Sequence, residues 1–372
     1  MALVDKINVE RSQRRTHVTE QEFLDTIIAT IPAPDEEWGP RAWARLDSLT
    51  KPPRSLGVLE EIAQRLAVLQ RCEKPALPRK AIVLMAADHG VTAQGVSPYP
   101  SEVTVQMVAN IATGGAAINQ LAAHADARVV VVDVGVANPL LHTNGVVQAR
   151  VADGTADMTL GPAMTRNQAL AAIRVGIEQV AQLATEGLEL VGTGEMGIGN
   201  STAASAITSV LTNVDPVDVV GPGTGLDAAG VAHKTDVIRR AIEVNVPDPL
   251  DALDVLAKVG GLEIAGLVGV VLGAASLGIP VVSDGFISGA ATLVALHLAP
   301  AARPWVFASH RSAEPGHQVV LEALGLRPVL SLDMRLGEGT GAALAMELMD
   351  AACAVMSGMS TFEQAGVSDR EE

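Results

Sequence analysis

The stretch LELVGTGEMGIGNSTAASAI, residues 188–207, predicts a buried strand, then a glycine-rich turn, then a helix. Its first part, LELVG at 188–192, is mostly apolar without alternation, as in strands that are covered on both faces. The polar triplet at 200–202 precedes a run of small residues, and we expect the helix to start after this triplet. A strand–turn–helix unit of this kind is the building block of an α/β fold.

The same alternation of strands and helices extends in both directions from this unit. Helical patterns, such as those over 167–187 and 227–245, separate short runs that are continuously apolar. The other runs are AIVLMAA (81–87), RVVVVDVG (128–135), IPVVSDG (279–285), WVFAS (305–309) and RPVLSL (327–332). We therefore predict a doubly wound α/β fold with a mainly parallel sheet flanked by helices.

Four regions are predicted along the chain. Residues 1–36 are polar and form an N-terminal extension with one short helix, and residues 37–78 hold helices around a KPPRS turn. Residues 79–332 form an α/β nucleotide-binding domain. Residues 333–372 carry a glycine-rich loop and then C-terminal helices.

Charge and composition exclude several classes of protein. The net charge of −16 argues against a nucleic-acid partner, because phosphate binding needs a basic face. Residues 264–283 carry no charge, but Gly278 and Pro280 divide this segment into a helix and a strand, so we predict no membrane span. Cys72 and Cys353 are predicted to be buried free thiols, which, with no signal peptide, favours a cytoplasmic protein.

The glycine-rich turn of the opening stretch is the strongest single indication of a ligand. Gly192, Gly194 and Gly197 match the G-x-G-x-x-G spacing of dinucleotide-binding proteins, so an NAD(P)-dependent dehydrogenase is one candidate function. However, Gly199 follows, and the carboxylate of Glu195 would repel a bound pyrophosphate. We therefore favour a mononucleotide phosphate loop, in which backbone N–H groups and a helix N-terminus hold the phosphate.

Further polar segments follow the other predicted strands, where ligands bind in open α/β sheets. The loop GPGTGLD (221–227) leads into a helix that carries Lys234, which is either a ligand for phosphate or carboxylate or a solvated surface lysine. His89 has no second histidine at the spacing of a zinc site. His310 and His317 are seven residues apart, and we predict structural histidines there rather than a metal pair.

The segment RLGEGTGA (335–342) presents one carboxylate, Glu338, among Gly337, Gly339 and Gly341. It follows the last predicted strand, so it faces the same edge of the sheet as the glycine-rich loops. We interpret the glycines as clearance for a flat aromatic substrate and Glu338 as its proton acceptor. A helix-capping role for Glu338 is the alternative.

Eight motifs, in unbroken order from about residue 38 to the C-terminus, resemble those of the nicotinate-nucleotide–dimethylbenzimidazole phosphoribosyltransferase family. They are KPPRSLGVLEEIA, AADHGVTAQGVSPYPSEVT, GTADMTLGPAMT, GTGEMGIGNSTAASAI, GPGTGLD, DGFISGAATLVA, SHRSAEPGH and RLGEGTGAALAMELMDAA. The resemblance implies a large α/β domain, a smaller helical domain formed by the N- and C-terminal segments, a homodimer, and no redox cofactor.

The resemblance also implies an activity and a set of site residues. The phosphoribosyl group of nicotinate mononucleotide passes to 5,6-dimethylbenzimidazole with inversion, giving α-ribazole 5′-phosphate and nicotinate during assembly of the cobalamin nucleotide loop. Glu338 is implied as general base, with Glu195 and Lys234 also catalytic. The expected substrate-binding residues are Ser101, Gln106 (added because it shares a helix with Ser101), Met196, Gly197, Gly199, Asn200, Gly223, Gly225, Ser312 and Leu336. No metal is expected. A dehydrogenase using 192–197 and a non-catalytic nucleotide sensor remain the alternatives.

Overall fold

A computed structural model describes residues 19–138 and 144–368, and in these ranges seven strands form one parallel sheet. The strands are β1 (Lys80–Ala87), β2 (Ala127–Gly135), β3 (Val146–Gln148), β4 (Leu190–Met196), β5 (Val281–Ser283), β6 (Val306–His310) and β7 (Pro328–Leu330). Their order across the sheet is β3-β2-β1-β4-β5-β6-β7. The predicted α/β fold with a parallel sheet is confirmed, and the short edge strand β3 is an addition to it.

Helices cover both faces of this sheet. Those that precede β4 are α1 (Glu20–Ala29), α2 (Trp38–Asp47), α3 (Val58–Gln70), α4 (Glu102–Ala112), α5 (Ala117–His124) and α6 (Arg166–Thr185). Those between β4 and β6 are α7 (Asn200–Thr212), α8 (Pro216–Val219), α9 (Ala228–Asn245), α10 (Ala252–Val259), α11 (Leu262–Ser276) and α12 (Phe286–Leu298). The last three are α13 (Pro315–Leu324), α14 (Thr340–Gly358) and α15 (Phe362–Ala365).

Strand β4 is longer than the apolar pattern predicts. It continues to Met196, so the prediction that the strand ends at Gly192 is wrong. A Cβ atom on Gly192 would lie 2.4 Å from Ile82 Cδ1, and one on Gly194 would lie 2.7 Å from the carbonyl oxygen of Glu338. These two glycines therefore serve the close packing of the sheet with its neighbours. The turn itself begins only after Met196.

The core lies in two clusters, one on each face of the sheet. Helices α6, α7, α11 and α12 build one cluster, and α2, α3, α5 and α14 build the other. The N-terminal extension contributes to the first cluster, because Phe23, Leu24 and Ile27 of α1 are buried there. Every residue of α11 is buried, and β5 follows it, as the division of 264–283 into helix and strand predicts.

A segment near the start of the described chain, 45–49, contacts a segment near its end, 356–361, on the second face. The Arg45 guanidinium donates hydrogen bonds to the carbonyl oxygens of Met356 (3.2 Å) and Met359 (3.0 Å). Leu49 and Thr361 form an antiparallel bridge. The domain boundaries stay predictions. Helix α14 is long and apolar enough to cross a membrane, but half of it is buried, and core helices of soluble proteins pass the same test.

Candidate active site

A cleft of about 640 Å³ opens beyond the carboxyl ends of β1 and β4. The strand order reverses direction between these two strands, and such a switch point is where open α/β sheets bind ligands. The cleft is lined by Tyr99, Val103, Met107, Glu195, Met196, Gly197, Ile198, Asn200, Ser201, Gly223, Thr224, Ile287, Glu314, Arg335, Leu336 and Glu338. Its walls are therefore mainly apolar, with three carboxylates and one guanidinium facing the space.

The structure brings most of the predicted site residues to this cleft. The predicted residues that line it are Glu195, Met196, Gly197, Asn200, Gly223, Leu336 and Glu338. Ser312 lines a small adjoining recess, and Lys234 lies behind the wall. The others do not line it: Ser101 is half-buried and forms no capping hydrogen bond on α4, Gln106 and Gly225 are exposed, and Gly199 lies against Thr92. The roles predicted for these residues stay predictions.

The backbone around Glu338 is left-handed at three successive residues. The φ angles are +81° at Gly337, +60° at Glu338 and +89° at Gly339. A Cβ atom at Gly337 would lie 2.1 Å from Glu195 Oε1, and one at Gly341 would lie 1.9 Å from His310 Nδ1. The interpretation of these glycines as clearance for a substrate is therefore wrong, because what they accommodate is the protein itself.

The Glu338 side chain is buried at the cleft, and its Oε2 atom has no hydrogen-bond partner in the described part of the chain. Burial raises the pKa of this carboxyl, a backbone hydrogen bond with Ile118 opposes the rise, and the charge of Asp284 adds to it. The N-cap of α14 is Gly339, so the alternative capping role is wrong. A non-glycine residue at positive φ is uncommon and clusters at functional sites.

Glu195 lies at the end of β4 and contacts the Glu338 loop. Its Oε2 accepts a hydrogen bond from the Asn200 side chain at the start of α7. Burial, with the nearby Asp284 charge, raises the pKa of Glu195 to about 8, and the bond from Asn200 and a backbone hydrogen bond with Glu338 oppose this rise. Near neutral pH this carboxyl is largely protonated and uncharged.

Lys234 is fully buried, so the alternative of a solvated surface lysine is wrong. Its Nζ donates to Ser201 Oγ at 2.8 Å, and it would lie 3.3 Å from a Cβ atom on Gly223. Burial lowers the pKa of Lys234 to about 8, while the Glu314 charge opposes that shift. The ammonium group thus stands directly behind two residues that line the cleft.

Sequence reasoning missed Glu314 and Arg335, which join the two glycine-rich loops. Glu314 Oε1 accepts the backbone N–H of Gly223 at 3.0 Å, and Arg335 Nη1 donates to the Gly223 carbonyl oxygen at 2.8 Å. Burial raises the pKa of Glu314, and Lys234 opposes this rise. Both residues stand in quoted motifs, SHRSAEPGH and RLGEGTGA, but nothing in their spacing indicates that they meet at Gly223.

The histidines considered as metal ligands are hydrogen-bonded within the protein. His89 Nε2 lies 2.7 Å from Glu263 Oε1. His317 Nδ1 accepts the backbone N–H of Ser312 at 2.9 Å, and burial lowers the pKa of His317 to about 3. His310 Nδ1 lies 2.9 Å from Ser309 Oγ. These contacts are those of structural histidines.

A parallel sheet with glycine-rich loops, a buried lysine and a buried carboxylate, one oxygen of which has no partner among the described residues, is typical of an α/β enzyme that binds a small anionic ligand. Comparison with known proteins identifies the family within this class. A family model described as phosphoribosyltransferase matches residues 31–367. The chain belongs to the nicotinate-nucleotide–dimethylbenzimidazole phosphoribosyltransferase family.

Similar proteins of known name cover nearly the whole chain. A nicotinate-nucleotide–dimethylbenzimidazole phosphoribosyltransferase of Desulforamulus reducens is 54% identical over 347 residues, which are 93% of this chain and 99% of the relative. One of Chloroflexus aggregans is 54% identical over 350 residues, 94% of this chain and 99% of the relative. The crystal structure of Thermus thermophilus CobT matches with a TM-score of 0.86 and 49% identity, covering 89% of this chain and 99% of that one.

These findings confirm the resemblance and show that the protein is a phosphoribosyltransferase, a pentosyl-transferring enzyme. The alternative of an NAD(P)-dependent dehydrogenase is not supported. Its physical basis was the spacing of Gly192, Gly194 and Gly197, and the first two of these lie inside β4 rather than in a phosphate-binding turn.

Proposed function

We propose that this protein transfers the phosphoribosyl group of nicotinate mononucleotide to 5,6-dimethylbenzimidazole, as the names of its relatives describe, for the assembly of the cobalamin nucleotide loop. One observation carries the proposal. The Glu338 carboxylate is buried at the cleft, and its Oε2 has no hydrogen-bond partner among residues 19–138 and 144–368, so a substrate N–H group supplies the missing hydrogen bond.

The reaction needs one proton acceptor and little else. One ring nitrogen of dimethylbenzimidazole attacks C1′ of the ribose, and the bond from C1′ to the pyridinium nitrogen breaks with its electron pair going to nicotinate. Departure neutralises a pyridinium cation, so it needs no general acid. The second ring N–H of the benzimidazole becomes acidic as the new bond forms, and Glu338 takes that proton. Attack opposite to the leaving group inverts the linkage from β to α.

The anionic end of the nucleotide is held by the glycine loops. Backbone N–H groups of the turn after Met196 lie at the N-terminus of α7, which favours a phosphate. Lys234 stands behind Ser201, and Arg335 lies on the rim, so positive charge faces this end from two sides. The apolar side chains of Val103 and Met107 on α4 offer a surface for a flat aromatic base.

The test is to incubate the protein with nicotinate mononucleotide and dimethylbenzimidazole and to separate the products by chromatography. We expect release of nicotinate in equal amount to α-ribazole 5′-phosphate. Glu338→Gln should lower kcat by roughly 10²–10⁴-fold with little change in KM, because only the proton transfer is lost. The control is Glu347→Gln, which lies on α14 and outside the cleft lining and should keep the wild-type kcat and KM. No nicotinate release by the wild type, or a normal rate for Glu338→Gln, contradicts the proposal.

We further propose that the enzyme works as a cytoplasmic homodimer, which the family resemblance supports. Light scattering after gel filtration should give twice the mass of 38.4 kDa. A monomeric mass at assay concentrations with full activity contradicts this part alone and leaves the proposed reaction intact.

A further inference from the structure

The buried carboxylate of Asp284 accepts several backbone N–H groups from the segment that carries Glu338. Asp284 stands between the end of β5 and the start of α12. Its Oδ2 accepts the N–H of Gly339 at 3.2 Å, and its Oδ1 accepts that of Ala342 at 3.0 Å. Backbone groups of Gly341 and Gly285 also bond to it. All of these partners are donors, which is the arrangement that an ionised carboxylate requires.

These bonds fix the part of the chain on which the direction of the Glu338 side chain depends. Gly339 is the residue after Glu338 and the N-cap of α14, so the bond from its N–H anchors the left-handed turn at its C-terminal side. The Asp284 backbone is itself held, because its N–H donates to Thr193 Oγ1 at 3.1 Å and its carbonyl oxygen accepts from Ser309 Oγ at 2.7 Å. The anchor therefore rests on β4 and β6 rather than on the loop.

We propose that Asp284 is a positioning residue of the phosphoribosyl transfer: it fixes the turn that aims the Glu338 carboxylate into the cleft. This inference rests on the proposed function for its kinetic readout. Asp284 is buried and lines only the small recess of about 20 Å³ beside the cleft. Both of its carboxylate oxygens are bonded to backbone N–H groups, so it acts through the base rather than on the substrate.

The groups that face Asp284 determine how its removal changes the pH profile. They are Glu338 on its loop, Glu195 on β4, and His310 on β6, whose Nδ1 lies 3.9 Å from Asp284 Oδ1. Burial raises the pKa of Asp284 to about 7, with its backbone N–H partners opposing, and burial lowers the pKa of His310. The Asp284 charge raises the pKa of both glutamates. Since the base works when deprotonated, loss of that charge moves the acid limb of activity to lower pH.

The test combines Asp284→Asn with Glu338→Gln. We expect Asp284→Asn alone to lower kcat about 10²-fold, as for a misplacement of about 1 Å, with KM for nicotinate mononucleotide nearly unchanged and the acid limb at lower pH. In the Glu338→Gln variant, adding Asp284→Asn should lower kcat almost no further, because Asp284 acts through the base. An additive loss, or an unmoved acid limb, overturns the proposal.

A matched control and a second readout separate this role from a structural one. Asp251 also accepts two N–H groups at the start of a helix, α10, but lies outside the cleft lining, so Asp251→Asn should keep normal kcat. NMR titration of carbon-labelled Glu338 should show a lower pKa in Asp284→Asn, whether or not the wild type turns over. This result stands even if the proposed function fails. If Asp284→Asn and Asp284→Ser both fail to fold, Asp284 belongs to the fold and the proposal is overturned.

Discussion

Gly337→Ala should displace the Glu195 carboxyl group of the active site. Its loss in the free energy of unfolding should be no larger than that of a Gly→Ala change at another position with positive φ. The added methyl group would lie 2.1 Å from Glu195 Oε1, whereas ordinary contact begins at 3.4 Å, so the carboxylate must move by about 1.3 Å. A misplacement of about 1 Å costs roughly 10² in rate, and we expect a loss of this size in kcat. The left-handed φ of +81° adds a loss of about 1–2 kcal/mol in the free energy of unfolding.

Gly114→Ala is the control for the backbone strain. Gly114 has a φ of +88°, and nothing lies within 4 Å of a Cβ atom placed there. Denaturant unfolding of both variants should therefore give similar losses of stability, while nicotinate release falls only in Gly337→Ala. If both variants keep the wild-type kcat, then the position of Glu195 does not matter and the reasoning is refuted.

Three further outcomes are expected. Lys234→Met should raise KM for nicotinate mononucleotide about tenfold or more, since a hydrogen bond to a charged group contributes about 1.5–3 kcal/mol. In the wild type, kcat/KM should fall as pH rises through the Lys234 pKa of about 8, because the ammonium group then loses its charge. Glu195→Gln should lower kcat at neutral pH by less than the roughly 10²-fold expected when a general base is removed. The reason is that its raised pKa of about 8 leaves the wild-type Glu195 largely protonated. Leu24→Ala, measured by denaturant unfolding, should cost about 2–5 kcal/mol without changing kcat, and the exposed Asp25→Ala should cost under about 0.5 kcal/mol.

The sheet could be predicted because its strands are buried on both faces and therefore apolar throughout. The pattern failed where a strand is not apolar. Strand β4 ends in Gly194, Glu195 and Met196, whose glycine and carboxylate resemble a loop in sequence but pair in register with β1. The edge strand β3 is only three residues long and half-buried or exposed, too short for any pattern to identify.

The candidate site could be predicted only in part, for a different reason. Glu195 stands among glycines at the end of β4, and Glu338 stands among glycines just before α14, so each is visible within its own motif. Asp284, Glu314 and Arg335 have their role through partners that are distant in the chain: Asp284 bonds to Gly339 55 positions away, and Arg335 bonds 112 positions away. No local pattern contains such pairings, and they follow only from the order in which the strands assemble.

Several glycines of the chain pack against buried carboxylates. A Cβ atom on Gly221 would lie 2.2 Å from Glu314 Oε2, one on Gly337 would lie 2.1 Å from a Glu195 oxygen, and one on Gly261 would lie 2.7 Å from Glu263 Oε2. A buried carboxylate needs donors at close range to offset its lost hydration, and a bare backbone is what allows that approach. Glycines in these motifs thus allow close approach of the backbone, to a buried acid at Gly337 and to neighbouring elements at Gly192 and Gly194. For this reason the dinucleotide spacing at 192–197 misled as a sign of pyrophosphate binding. We therefore expect that a side chain placed at Gly221, Gly261 or Gly337 changes the pKa of the neighbouring acid more than it changes KM for the substrate.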